Sequence, residues 1–138
     1  MFAPNNTKIT KNQIMKKLLL IGLMMLAGSA WAEWVLYTET QTATFYYDAA
    51  TISNDGSMRR RVWQLTDLRK RHKDGEMSRR SRIEYDCKQE SYRFLTFSAH
   101  SEPMAGGTVL KTESEEEDLK AIPPNTVLEM ILNIACAK

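Results

Sequence analysis

Two cysteines, Cys87 and Cys136, are the only ones in a chain of 138 residues, and their surroundings differ in kind. Cys87 lies in the cleanest alternating run of the sequence, Met77 to Lys88. There Ser81, Ile83, Tyr85 and Cys87 fall on one side and Arg80, Arg82, Glu84, Asp86 and Lys88 on the other. Period-two alternation marks a half-buried strand, because successive side chains point to opposite faces. Cys136 ends an apolar run that begins at Thr126-Val127-Leu128-Glu129, a capping box in which hydroxyl and carboxylate each satisfy an orphan backbone N–H. A bond between the two would fix the last helix to the middle of a sheet. It would close a loop of 49 residues, worth about 4 kcal/mol by the chain-entropy argument. Two free thiols are the alternative, and the compartment decides between them.

That compartment is readable near the N-terminus. Met15-Lys16-Lys17 is a short positive start, Leu18 to Ala27 is apolar, and Gly28-Ser29-Ala30-Trp31-Ala32 places Ala30 and Ala32 in the A-x-A spacing of a signal-peptidase site. The apolar run is about ten residues, roughly half of what spans a bilayer. Residues 15–32 therefore read as a signal peptide, with a buried helix of the folded domain as the competing account. Residues 1–14 read as an over-extended start, with Met15 the initiator. Glu33 follows the cleavage point where an anchoring cysteine would stand, so no lipid anchor is expected at that position. The expectation is an exported domain over 33–138, in the periplasm or at the cell surface, with no transmembrane segment in the mature chain and an oxidised cysteine pair.

Trp34 to Thr40, Thr42 to Asp48, Arg59 to Leu68, Met77 to Lys88, Tyr92 to His100 and Thr108 to Thr112 are rich in β-branched and aromatic residues and read as strands. Asn54-Asp55-Gly56-Ser57, Lys73-Asp74-Gly75 and Gly106-Gly107 supply turns, since Asn, Asp and Gly accept left-handed angles cheaply. In the third strand Trp63 and Leu65 point to the core, with Arg61 and Asp67 at the ends of the same set. Ser114 to Leu119 fits a short exposed helical turn. The last helix is apolar almost all round and should be largely buried. The architecture is α+β: one antiparallel sheet of about six strands, with the C-terminal helix on one face and tethered there.

Charge is segregated. Without Lys8, Lys11, Lys16 and Lys17 the exported chain carries 15 Lys+Arg against 17 Asp+Glu. Arg59 to Arg93 holds 12 basic and 6 acidic residues, while Glu113 to Asp118 holds five acids and no base. Arg59, Arg61, Arg79, Arg80, Arg82, Lys88 and Arg93 are the candidate ligand-binding residues, because arginine's fork suits carboxylate, sulfate or phosphate. A charged outer face that only keeps the protein soluble is the competing account. In an exported protein the anionic partner is a glycosaminoglycan, an anionic surface or an acidic protein rather than nucleic acid. His72 and His100 read as surface histidines without a paired acid or nucleophile. No catalytic or metal-binding motif is present, the acidic run lacks the ligand spacing of a calcium loop, and no cofactor is expected.

In order and spacing several features resemble the bacterial surface-adhesin protein E family. They are Trp34; Tyr46-Tyr47-Asp48 with Ile52 and Gly56; Val62-Trp63-Gln64-Leu65-Thr66-Asp67; Glu84-Tyr85-Asp86-Cys87 with Tyr92-Arg93; Gly106-Gly107; Ile122-Pro123-Pro124-Asn125-Thr126; and the terminal Cys136. The resemblance implies a homodimer as one state and, as ligands, host extracellular-matrix proteins such as vitronectin and laminin. The leading expectation is thus a non-enzymatic binding protein that uses its arginine-rich face. The alternative is a periplasmic inhibitor or stress protein acting on an enzyme such as lysozyme. A small hydrolase would require a cleft gathering His100, Asp86 and a serine.

Overall fold

Each β-branched and aromatic run folds as a strand, and each neighbour in sequence is its neighbour in space. A computed structural model describes residues 10–24, 32–114 and 116–137, in two units, Met1–Trp31 and Ala32–Lys138. In the first, α1 (Lys11–Met24) takes in the positive start and part of the apolar run. No described helix is long and apolar enough to cross a membrane. Residues 28–31, before the expected cleavage point, lie outside the described set.

The second unit is an antiparallel meander of β1 (Trp34–Glu39), β2 (Ala43–Asp48), β3 (Arg59–Leu68), β4 (Ser78–Asp86), β5 (Ser91–Glu102) and β6 (Gly106–Glu113). A seventh strand absent from the sequence expectation, β7 (Lys120–Ala121), returns to pair with Ser91 and Tyr92 at the start of β5. The helical turn expected over Ser114–Leu119 does not form among the described residues. Closely spaced glutamates repel when stacked on a short helix, and β7 follows instead, with Glu117 bound to Lys120 at 2.7 Å.

Turn chemistry sets the hairpins. Asp86 Oδ1 accepts the backbone N–H groups of Lys88 and Gln89 at 3.0 and 2.9 Å, which closes β4 onto β5. At the start of β6, Gly107 has φ of +70°, and a Cβ there would collide with Ser101 and Glu102, so only glycine fits.

Residues paired across antiparallel strands share a face, so the register divides the sheet into two sides. Val62, Ile83 and Tyr85 lie on one side, and α2 (Val127–Cys136) packs Ile131, Leu132 and Ala135 onto them. Each of Val62, Ile83, Ile131 and Leu132 taken from water contributes about 1.5–3 kcal/mol. Thr126 caps α2 by accepting from Glu129 N–H, and Glu129 reaches back to Asn125 N–H at 2.7 Å. The Cys87–Cys136 disulfide joins α2 to the residue after β4 with a Cα–Cα separation of 5.8 Å. Two expectations are corrected. Met130 and Asn133 are exposed, so α2 is buried along one stripe and open to solvent along another rather than largely buried. Trp63 and Leu65 point away from α2, although Leu65 is fully buried: β3 carries apolar side chains on both sides, and the helix chose the other.

Candidate functional site

The face opposite α2 is built in register rows. Leu36, Tyr46, Leu65, Arg80 and Ser98 are paired in turn across β1 to β5; Trp63, Arg82 and Thr96 form a second row, and Arg61, Glu84 and Arg93 a third. Of the seven predicted binding residues, Arg59, Arg61, Arg80, Arg82 and Arg93 come together here. Arg79 does not: period two puts it on the α2 side, where Glu76 takes its Nε and Nη2 at 2.8 and 3.0 Å and its guanidinium lies over Phe97. Lys88 sits exposed in the β4–β5 turn. Arg69 and Arg71, in the β3–β4 loop, bond the carbonyls of Thr40, Gly75 and Ser101 and do not merge with this face.

The five arginines divide into two sets. Glu84, expected to be solvent-facing, is 2% exposed and binds three of them: Arg59 Nη1 at 3.0 Å, Arg61 Nε at 2.9 Å and Arg93 Nη2 at 2.8 Å. Burial by itself raises the Glu84 pKa, but the hydrogen bonds from Arg61 and Arg93 outweigh it, and the carboxyl titrates below its usual range. Asp86, at 3.7 Å from Arg59, adds a second carboxylate. A cleft of about 260 Å³ opens above this cluster, with Ser53, Ser57 and Arg82 on its walls.

Arg80 and Arg82 form the second set. Trp63 holds both, with guanidinium carbons 4.1 and 6.0 Å from its ring centre. Such stacking orients a planar guanidinium without neutralising it. Among the described residues neither has a carboxylate within 4.0 Å, and Arg80 Nε is buried without an acceptor. Two preorganised cations without counter-charge are what an anion-binding surface requires.

His100 is buried, not solvated, and its Nε2 lies 2.8 Å from Ser98 Oγ. Burial and the nearby Arg80 charge lower its pKa. Its Nδ1 has no acceptor among the described residues, and Asp86 is at the far end of β4. The gathering of His100, Asp86 and a serine that a hydrolase would require does not occur. His72 is exposed and bonded to Asp74 at 2.8 Å. The described residues contain no group of three or more potential metal ligands. Glu116 of the acidic run approaches Arg93 at 3.9 Å. On the α2 side lies a trough of about 490 Å³ between the first turn of α2 and the β3–β4 loop, lined by Tyr37, Phe45, Phe94 and Leu128. No periodicity in the sequence signals it, because five strands, α2 and the β3–β4 loop all supply its walls.

Comparison with known proteins matches this arrangement to one family. The sequence model of surface-adhesin protein E matches residues 34–137. No curated protein sequence matches significantly. Among solved structures, crystal form II of Haemophilus influenzae protein E aligns with a TM-score of 0.62 at 14% identity, over 79% of this chain and 91% of that one. Protein E from non-typeable Haemophilus influenzae gives a TM-score of 0.50 at 16% identity, over 74% and 75%. At such identities the solved structures speak for the fold. The sequence match, which takes in every strand, α2 and both cysteines, carries the assignment: the chain belongs to the surface-adhesin protein E family.

Proposed function

We propose that this is an exported, non-enzymatic, adhesin-like binding protein, released from a signal peptide at 15–32, that receives an anionic partner on the face opposite α2. Arg80 and Arg82, held on Trp63 without carboxylates, make the first contacts. Arg59, Arg61 and Arg93 supply the positive surround. The expected partners are host matrix proteins such as vitronectin or laminin, in keeping with a surface-adhesin family. The observation that carries the reading is the pair of uncompensated guanidinium groups, since most other arginines of this region already hold an acid or a carbonyl.

Exposed charges act over a Debye length of about 8–10 Å at physiological salt, so binding should weaken as salt rises. Charge-assisted hydrogen bonds contribute about 1.5–3 kcal/mol each before screening. The double variant Arg80→Gln/Arg82→Gln is therefore expected to lose at least about tenfold in affinity for immobilised vitronectin, with a shallower salt dependence by surface plasmon resonance. Unchanged affinity and salt slope in that variant would rule the arginine face out.

A further inference from the structure

The arginine pair has an apolar neighbour on the same face. Arg80 continues the row in which Leu36, Tyr46 and Leu65 are paired across β1, β2 and β3, and Trp63 lies one row along. Leu65 is sealed beneath its neighbours, whereas Leu36 is 49% exposed and Tyr46 and Trp63 are partly exposed. In this strip Leu36 and Tyr46 lie toward the free β1 edge of the sheet, the buried Leu65 stands between them and Arg80, and Trp63 under the two guanidinium groups is the next partly exposed apolar side chain. A surface built only to hold a polyanion needs repeated cations and polar spacers. Here three of the five residues of the row are leucine or tyrosine, and its single cation, Arg80, lies on β4 beside Arg82.

We infer that the partner is an acidic polypeptide surface carrying an apolar or aromatic side chain next to its carboxylates, not a polyanionic polysaccharide. This rests on the arginine-face reading and specifies its ligand. Arg80 and Arg82 take the carboxylates, while the apolar side chain settles on Leu36 and Tyr46 and is stripped of water there. Tryptophan, tyrosine and arginine are the residues that dominate affinity at protein interfaces, because they combine large apolar contact with directed polar bonds. Exposed apolar patches rimmed by charge mark such sites. Charge complementarity fixes the sign of the partner, since Arg80 and Arg82 beside the strip have no acid of their own.

Two synthetic peptides of equal length and equal net charge test this, one of glutamate and serine, the other of glutamate with leucine and phenylalanine in place of the serines. Binding is followed by calorimetry and by the fluorescence of Trp63, which lies under both arginines. The peptide with apolar residues should bind about tenfold more tightly. Leu36→Thr, at an exposed position that tolerates a β-branched residue, should bring the two affinities together and leave the glutamate–serine peptide bound as before. Equal affinities in the wild type, stronger binding of a heparin fragment than of either peptide, or an unchanged ratio in Leu36→Thr would overturn the inference. So would a wild-type dimer in light scattering that Leu36→Thr converts to monomer, because the strip would then be covered by a second copy. Failure of Arg80→Gln/Arg82→Gln to weaken either peptide would instead remove the arginine-face reading beneath it.

Discussion

Glu84 is the most deeply buried acid of the arginine face. Its carboxylate sits at the base of the arginine cluster, almost out of contact with water, and three guanidinium groups converge on it. A buried carboxylate is tolerable only when its charge is matched and its lone pairs are filled. Glu84→Gln would leave three cations facing a neutral amide. Breaking a fully buried pair costs about 3–5 kcal/mol. Arg59 and Arg61 are 43% and 49% exposed, so the expected loss is smaller, about 1–3 kcal/mol in urea denaturation after allowing for solvent screening. The pH dependence follows from the lowered pKa. The stabilisation from Glu84 is complete above its ordinary value of 4.5 and is lost as pH falls from there through the folded-state pKa. Thermal melts between neutral and acid pH should show a steep acid limb in the wild type and a flatter one in Glu84→Gln.

At the scale of elements, α2 is held by its capping residues, its apolar stripe and the bond from Cys136 to Cys87. Removing a native disulfide from a small exported domain costs about 2–5 kcal/mol. Cys136→Ala should therefore lower the urea midpoint and speed amide exchange in α2, with β3 and β4 less affected because their ladders are intact. The meander and the cap were legible because each is local, as polar turns between β-rich runs and a Thr-x-x-Glu signature. The tether spans 49 residues, but was legible because the chain has only two cysteines and a signal-peptide pattern. The side of β3 that meets α2 was not legible. Val62 on one side and Trp63 and Leu65 on the other are both apolar, and only the approach of the helix decides between them. Alternation already separated Arg79 from Arg80 and Arg82, yet the density of arginines in one stretch suggested a single patch. Glu84 was hidden for the opposite reason. A glutamate among arginines on an alternating strand reads as a solvated ion pair until β3 and β5 bring Arg59, Arg61 and Arg93 over it. β7 is two residues long and carries no pattern of its own.

Over the whole of the Ala32–Lys138 unit, a single sheet separates two sets of residues. The side facing α2 holds the core and the disulfide, and the other side holds the arginines and the apolar strip. The proposed function therefore predicts that substitutions of Arg80 and Arg82 on the second side alter binding with little cost to the core beneath the helix. The disulfide also sets how the protein would carry a load. Tension applied beyond Cys136 passes through the sulfur bridge into Cys87 and the centre of the sheet, and bypasses everything between them. β5, β6 and β7 therefore lie off the force path and cannot be peeled away from that end. The enclosed 49 residues would otherwise release roughly 160 Å of chain at about 3.3–3.6 Å per residue. Single-molecule stretching should show that extension appear only after reduction, which makes the bridge a mechanical fuse for an adhesin-family fold.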